Sequence, residues 1–305
     1  MQTKVKGPGA GWHWLVSAVN LGRHNPRALF GAAAMLMGLA LLPSVLQVLV
    51  AEVFGPGNPT VAMVASAIVM VVFVVVFPLL MAGFLQIIHA AETGQPTRAL
   101  ALFDVFRDRG ARARVIGIGM LLLLVYLVLL ALVLGLAGRG VVAWYAEVFA
   151  LAQASTPGST PAFPAMPEGI GRVMALMTLV AMFTGGIYSI GFGQVALNGR
   201  GVGEAFLDAL VGTLKNVLPL LVLTLLGLIG MVLAALAIGI AVAFLVVLGG
   251  LVSPTLGIIL AVPVYVAFLM AIYVVMFGVM YFIWRDVCGM PAASGPDLPV
   301  AGIEA

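Results

Sequence analysis

The chain has 305 residues, of which 63% are hydrophobic and only 8% are charged. Soluble domains average roughly 45–50% apolar and about 25% charged residues, so this composition excludes a water-soluble globule. A mean hydropathy of +1.22 indicates an integral membrane protein whose apolar surface faces lipid, and the net charge is a modest +3. The single cysteine, Cys288, excludes a disulfide framework and any multi-cysteine metal site.

Six apolar runs are long enough to cross a bilayer, because each exceeds about 18 residues and lacks charge over most of its length. They are predicted at residues 28–50, 61–88, 115–137, 170–197, 217–247 and 254–283. The sequence therefore predicts an all-α polytopic domain of six transmembrane helices over residues 1–290. Residues 291–305 are predicted to form a short, flexible cytoplasmic tail.

Basic residues are distributed unevenly between the two ends of the predicted spans. If the amino terminus is cytoplasmic, 12 of the 14 basic residues lie on that side, and only Arg139 and Arg172 lie on the other. The positive-inside rule then predicts that both termini are cytoplasmic. The first apolar run follows 27 residues and is too long for a signal-peptide core, so no cleavable signal peptide is expected.

Segment 138–169 is the one long loop among those predicted on the periplasmic side. Its first part carries Trp144, Tyr145 and Phe149, aromatic residues that favour the membrane interface, and we expect a short interfacial helix there. Its second part, from Gln153 to Gly169, is rich in Pro, Ser, Thr and Gly. That composition is typical of an irregular linker.

The chain repeats itself weakly at the ends of its even-numbered spans. The three aligned segments are Gly83-Phe-Leu-Gln86, Gly191-Phe-Gly-Gln194 and Gly278-Val-Met-Tyr281. A second glycine follows the first after 11, 10 and 11 residues, at Gly94, Gly201 and Gly289. Low-complexity apolar sequence can align with itself by composition alone, and this alternative stays open.

Each odd-numbered span is preceded by an amphipathic stretch with apolar residues at helical spacing. These residues are Trp12, Leu15, Val16 and Val19 in the first stretch, Ala99, Leu102, Phe103 and Phe106 in the second, and Phe206, Leu207, Leu210 and Leu214 in the third. We interpret the unit as an interfacial helix followed by a two-helix hairpin. Three such units with the same orientation predict parallel repeats about an axis near the membrane normal.

Several motifs together resemble a known family. They are Gly11-Trp-His-Trp-Leu15, Arg23-His-Asn-Pro26, Pro78-Leu-Leu-Met-Ala-Gly83, Leu214-Lys-Asn-Val-Leu-Pro219 and Trp284-Arg-Asp-Val287. From about residue 11 to 289 the chain resembles an uncharacterised family of proteobacterial six-span inner-membrane proteins. It is more distantly similar to the membrane domain attached to some glycerophosphodiester phosphodiesterases. The resemblance implies an inner-membrane location and six spans, and it implies no catalytic residue, substrate or cofactor.

No catalytic constellation is found in the sequence, and neither is a cofactor motif, a metal site or a nucleic-acid-binding pattern. Ionisable residues are absent from the centres of the spans, where proton relays and ion-coupled carriers usually place them. The candidate intramembrane polar contacts are Gln86 and Gln194, which occupy matching repeat positions. We interpret them first as interhelical hydrogen-bonding groups and second as lipid-headgroup or ligand contacts.

Acidic pairs at helical spacing, such as Glu204 with Asp208, are predicted to lie on solvated helix faces. Asp108 is expected to form an ion pair with Arg112, four residues on. Divalent-metal binding by these carboxylates is a weaker alternative.

Four arginines crowd one cytoplasmic stretch just before the third span. These candidate lipid-headgroup contacts are Arg107, Arg109, Arg112 and Arg114. Juxtamembrane clusters of this size attract anionic lipid, although they also serve to retain a loop in the cytoplasm. The sequence favours a non-enzymatic membrane protein that organises lipids or partner proteins. The alternative is a passive or substrate-driven transporter with a path lined by Gln, Ser, Thr and Tyr.

Overall fold

A computed structural model describes residues 3–23, 25–54, 58–154 and 164–289 of the protein. Throughout these ranges the regular structure is helical and no strand occurs. The α-helices are α1 (Ala10–Asn20), α2 (Pro26–Phe54), α3 (Pro59–Glu92), α4 (Arg109–Ala137), α5 (Arg139–Ala154), α6 (Ile170–Ala196), α7 (Val202–Lys215), α8 (Val217–Gly250) and α9 (Pro254–Cys288). A 3-10 helix, Ala99–Phe106, lies between α3 and α4.

The six predicted spans are confirmed as α2, α3, α4, α6, α8 and α9, each long and apolar enough to cross a membrane. The chain is therefore an all-α polytopic membrane protein. Even the shortest of them, α6, has 27 residues and extends about 40 Å at ~1.5 Å per residue, beyond a hydrocarbon core of about 30 Å. Two helices extend furthest past their predicted limits: α4 begins at Arg109 and α9 ends at Cys288.

Short polar side chains fix where several of these helices begin. Asn58 and Ser253 cap α3 and α9 by accepting hydrogen bonds from the backbone N–H of the third residue on, and a proline follows each cap. Asn25 accepts from the N–H of Ala28 at 3.2 Å at the start of α2. Such caps satisfy amide donors that have no partner within the helix.

Three short helices lie at one end of the bundle, each ahead of a long helix in the chain: α1 before α2, the 3-10 helix before α4, and α7 before α8. We call these three helices the collar and that end the collar end; the opposite end is the loop end. The main core lies at the collar end, where the last turns of α3, α6 and α9 converge. There, the rings of Phe84 and Phe277 meet edge to face at 4.9 Å.

The three glycines that align in the sequence each lie against a collar helix. A side chain on Gly83 would overlap the backbone of Leu102 in the 3-10 helix, and one on Gly278 would press on Ala18 in α1. Gly191 faces Ala209 in α7 at ordinary contact distance. Each of α3, α6 and α9 thus has a glycine where a short helix packs against it.

Nearer the loop end, burial is found along the seams between paired helices. Val133 of α4 and Val173 of α6 form a small buried cluster, and Gly249 and Gly257 let α8 and α9 approach closely. No residue in the apolar window of α8 is buried inside the protein. Large apolar side chains therefore remain exposed over most of this half, as lipid contact requires.

Two predictions about the segment between α3 and α4 need correction. Asp108 makes no ion pair with Arg112 in the part of the chain that is described; its carboxylate instead accepts hydrogen bonds from the N–H groups of Gly110 and Ala111. The second collar element is a 3-10 helix, whose three-residue period buries Leu102 and Val105 together and leaves Phe103 exposed.

Part of the prediction for the loop 138–169, and all of the prediction for the tail 291–305, concern residues outside the described ranges. A helix is present where one was expected, as α5, and its interfacial position stays a prediction. Most of the proposed linker after it, at 155–163, and the proposed tail at 291–305 lie outside the described residues.

Candidate functional site

The arginine cluster lies where the 3-10 helix ends and α4 begins. Arg107 is 80% exposed and pairs with Asp104 across 3.5 Å. Asp108 then caps α4, accepting from the N–H of Gly110 at 2.7 Å. The cap directs the chain into the helix, and it consumes the carboxylate that sequence spacing had assigned to an arginine.

Three of the four arginines have no ion-pair partner among the described residues. Arg109 is exposed, whereas Arg112 and Arg114 are half-buried on the first turns of α4. The Nε atom of Arg114 is buried and has no hydrogen-bond acceptor in the part of the chain that the structure describes. A guanidinium is always charged and presents several donors, so these side chains have unused capacity for an external anion.

Exposed apolar side chains extend around the same end of the molecule. On α7 they are Leu207, Leu210, Val211 and Leu214, at the i, i+3, i+4, i+7 spacing of one helix face. The opposite face of α7 is formed by small buried residues, among them Ala205 and Ala209. A helix with one face buried in the protein and an apolar face exposed among the described residues has the physical character of a membrane-interface helix.

The other two collar elements show the same division. Trp12 and Val19 of α1 are exposed while Trp14 and Ala18 are buried. In the 3-10 helix, Leu100 and Phe103 are exposed while Leu102 is buried. All three collar elements thus bury one face in the protein and leave large apolar groups on another.

Gln86 and Gln194 both form hydrogen bonds within the protein, and they do so with different partners. Gln86 donates from Nε2 to the backbone oxygen of Ala196 at 3.1 Å, linking α3 to the end of α6. Gln194 is fully buried and donates from Nε2 to Oδ2 of Asp208 at 2.7 Å, linking α6 to α7. The structure therefore places both side chains between helices and does not bring them to one point.

Asp208 was predicted from the sequence to lie on a solvated helix face, but it belongs to a polar group with Gln194 and Arg200. Its carboxylate oxygen Oδ2 also accepts from Nη2 of Arg200 at 3.1 Å, and Arg200 in turn reaches Glu204 at 3.4 Å. The side chain of Asp208 is only 15% exposed. Asp208 fastens the short connection between α6 and α7, because its carboxylate on α7 binds Gln194 of α6 and Arg200 within the connection.

A second polar group joins α3 to α9, the second and the last of the long helices. Nδ1 of His89 lies 3.2 Å from the hydroxyl of Tyr281, the residue that aligns with the two glutamines in the repeat. Arg285 reaches Glu92 at 3.6 Å and stacks its guanidinium over Phe282 at 4.5 Å. Sequence reasoning missed this group because its partners are about 190 residues apart; the repeat position of Tyr281 was the available signal.

Three hydroxyls inside the spans are satisfied by their own helices. The hydroxyls of Thr184, Ser189 and Thr224 each donate to the carbonyl oxygen four residues earlier. A cleft of about 340 Å³ between α2 and α3 is lined by apolar residues such as Leu39, Pro43 and Phe73. These observations provide neither a polar path through the described spans nor a reactive pair.

The chemistry available at the collar end is therefore anion binding and interfacial contact. Among the described residues no group of three or more His, Cys, Asp or Glu side chains could hold a metal ion. Comparison with known proteins supplies no further assignment: no family model matches the chain, and neither does any curated protein or solved structure. The resemblance to an uncharacterised inner-membrane family stays a prediction.

Proposed function

We propose that this protein is a bacterial inner-membrane protein that binds and organises anionic lipid at the cytoplasmic leaflet. The observation that carries the proposal is the set of three arginines, Arg109, Arg112 and Arg114, that have no ion-pair partner in the described part of the chain and lie at the start of a transmembrane helix. The collar end is proposed to face the cytoplasm, as the 12 basic residues on that side indicate.

Two physical terms favour lipid as the ligand. Each basic residue near an anionic leaflet contributes about 1 kcal/mol of attraction, and three unpaired guanidinium groups add to one another at short range. The exposed apolar faces of α1, the 3-10 helix and α7 supply a hydrophobic contribution that does not depend on lipid charge. A surface that combines both terms fits a lipid headgroup region better than it fits a soluble anion.

The collar is also proposed to reflect three parallel repeats. Support comes from the three aligned glycines, each of which lies against a collar helix. Such an arrangement would present three similar interfacial helices around one axis, so that lipid contact is distributed around the molecule and the arginine cluster marks one sector.

The transporter alternative receives less support. Gln86 and Gln194 donate to groups within the protein, and the hydroxyls inside the spans bond to their own helices. A path for a polar substrate needs groups that are free to replace its hydration shell. We therefore propose a non-enzymatic, lipid-organising role and place transport second.

Native mass spectrometry of the detergent-purified protein tests the proposal. We expect Arg112→Glu with Arg114→Glu to retain markedly less phosphatidylglycerol than the unaltered protein. The matched control is Arg139→Glu with Arg172→Glu, which makes the same change of charge at the loop end and should leave retention nearly unchanged. Equal retention by both double variants and the unaltered protein would reject the arginine cluster as a lipid site.

The orientation is tested separately by labelling with a membrane-impermeant thiol reagent. In a Cys288→Ala background, Gln95→Cys places a thiol in the exposed turn after α3, and Glu147→Cys places one on α5. In intact spheroplasts we expect labelling at position 147 alone, and labelling at position 95 only after permeabilisation. The reverse pattern would refute the proposed topology.

A further inference from the structure

Helix α5 has a second apolar surface, at the loop end and remote from the arginine cluster. One residue, Gly138, separates α5 from the end of the long helix α4. Because α4 is apolar up to Ala137, α5 begins at the depth where the chain leaves the hydrocarbon. A helix that starts at this depth lies next to the bilayer surface.

Packing fixes one face of α5 against the bundle. Val141 is buried in the small cluster with Val133 of α4 and Val173 of α6. The indole Nε1 of Trp144 donates to the backbone oxygen of Pro164 at 3.1 Å, which ties α5 to the segment leading into α6. These contacts define which side of α5 faces the protein, and hence which side does not.

The free side of α5 is apolar and aromatic. Val142, Tyr145 and Phe149 follow one another at i, i+3 and i+7, and Tyr145 and Phe149 are 62% and 66% exposed. Leu136, the penultimate residue of α4, is 86% exposed and continues the apolar surface into the span. This continuity with a lipid-facing surface indicates what covers the free side of α5.

We propose that α5 is an interfacial lipid-binding helix of the outer leaflet, seated in it by Val142, Tyr145 and Phe149. Its charges support an uncharged or zwitterionic lipid surface as the partner, because Arg139 and Glu147 are its only ionisable side chains apart from Tyr145 and cancel each other at neutral pH. Tyrosine at this depth keeps its ring in the apolar layer while its hydroxyl reaches the headgroups.

The proposal has a consequence that separates it from anion binding by the arginine cluster. Insertion of α5 rests on apolar area, so it is independent of anionic lipid and of salt concentration. Binding at the arginine cluster depends on both. The protein would then contact the two leaflets by different forces, hydrophobic at one end and largely electrostatic at the other.

Spin-label accessibility in reconstituted vesicles tests the insertion of α5. In the full chain with Cys288→Ala, a nitroxide is placed singly at Phe149→Cys, at Glu147→Cys on the flank of the same helix, and at Leu233→Cys on the exposed surface of α8. We expect the label at 149 to collide more with oxygen than with a water-soluble nickel complex, as at 233. The label at 147 should show the opposite preference.

Lipid composition and a second variant sharpen this test. The preference at position 149 should be the same in pure phosphatidylcholine vesicles as in mixtures with phosphatidylglycerol. Adding Val142→Ser with Tyr145→Ser should raise nickel accessibility at 149 while the elution volume of the protein stays unchanged.

Three results would overturn the proposal. Preferential collision with nickel at 149 would place α5 in water. Exclusion of both reagents would indicate contact with a second copy or another protein. Loss of the oxygen preference without phosphatidylglycerol would indicate electrostatic attachment. None of these results bears on retention of phosphatidylglycerol by Arg112 and Arg114, so the two proposals fail independently.

Discussion

Gly193 makes possible the closest side-chain packing between α6 and α9. A Cβ at this position would overlap the indole ring of Trp284, which is buried and belongs to the main core. Gly185, two turns earlier on α6, has no neighbouring atom within 4 Å of the same position. Two glycines of the same helix therefore differ in what surrounds them.

We expect Gly193→Ala to destabilise the protein by about 1–3 kcal/mol, because overpacking a close helix contact forces the ring or the backbone to move. Gly185→Ala should be neutral or stabilising by up to about 1 kcal/mol, since alanine favours a helix over glycine. Thermal unfolding in detergent, followed by size-exclusion of the surviving fraction, measures both. Equal loss of stability in the two variants would contradict the packing at Trp284.

Asp208 is the residue on which the connection between α6 and α7 depends. Replacing it with asparagine removes the charge that Arg200 and Gln194 both bind, and we expect a loss of about 1–3 kcal/mol. Asp104→Asn is the matched control, because Asp104 pairs with Arg107 in an exposed position where ion pairs contribute about 0–1 kcal/mol. The same unfolding assay should place the two variants clearly apart; coincident curves would show that Asp208 is dispensable.

At the scale of a single element, the start of α4 depends on a carboxylate cap. The backbone N–H groups of Ala111 and Gly110 donate to Asp108 and hold the pKa of its side chain below the ordinary value. A lowered pKa means that the folded protein favours the ionised form. The stabilisation is therefore fully present above the ordinary aspartate pKa and is lost as the pH falls through the lowered value.

Asp108→Ala should accordingly reduce thermal stability at neutral pH, and the difference from the unaltered protein should shrink as the pH falls below the ordinary aspartate pKa. Asp108→Asn retains a capping oxygen and should lie between the two. Melting temperatures measured across acidic pH check the trend. A difference that grows on acidification would contradict the cap, because the sign of the linkage would be reversed.

Elements of this protein could be predicted to the extent that they depend on local sequence. Apolar runs set the six long helices, and the aromatic cluster around Trp144 indicated α5. The 3-10 geometry of Ala99–Phe106 was missed, because the same residues fit an α-helical face equally well and packing of Leu102 beside Gly83 decides between the two. Asp108 was assigned to an arginine because spacing alone does not reveal competition from nearby backbone donors.

The candidate site was predictable in composition and only partly in geometry. The four arginines were evident from the sequence, but Arg107 differs from the other three in having a carboxylate partner. Gln86 and Gln194 were predicted as a matched pair, yet their partners differ because Asp208 is near one of them and the end of α6 is near the other. Contacts between distant parts of the chain, such as His89 with Tyr281, depend on tertiary structure.

On the scale of the whole molecule, the amino-terminal helix α1 packs against the last long helix, α9. Helix α1 packs against Gly278 of α9, as α7 packs against Gly191 of α6, so the first collar helix in the chain contacts the last long helix. The link is polar as well as apolar: Nε1 of Trp14 donates to Oδ2 of Asp286 at 3.0 Å. If each aligned glycine must pack against a collar helix, then α1 is the collar helix for Gly278 of α9.

Two tryptophans on α1 separate the packing of α1 on α9 from its proposed contact with the membrane. Trp14 is 1% exposed and Trp12 is 53% exposed, although they are two residues apart. Trp14→Ala should destabilise the protein by about 3–5 kcal/mol, the usual cost of deleting a buried aromatic side chain. Trp12→Ala should leave unfolding nearly unchanged and should instead reduce quenching of the remaining tryptophan fluorescence by brominated lipid. Similar destabilisation by both variants would mean that α1 is buried on all sides, and the collar would then have no face for lipid.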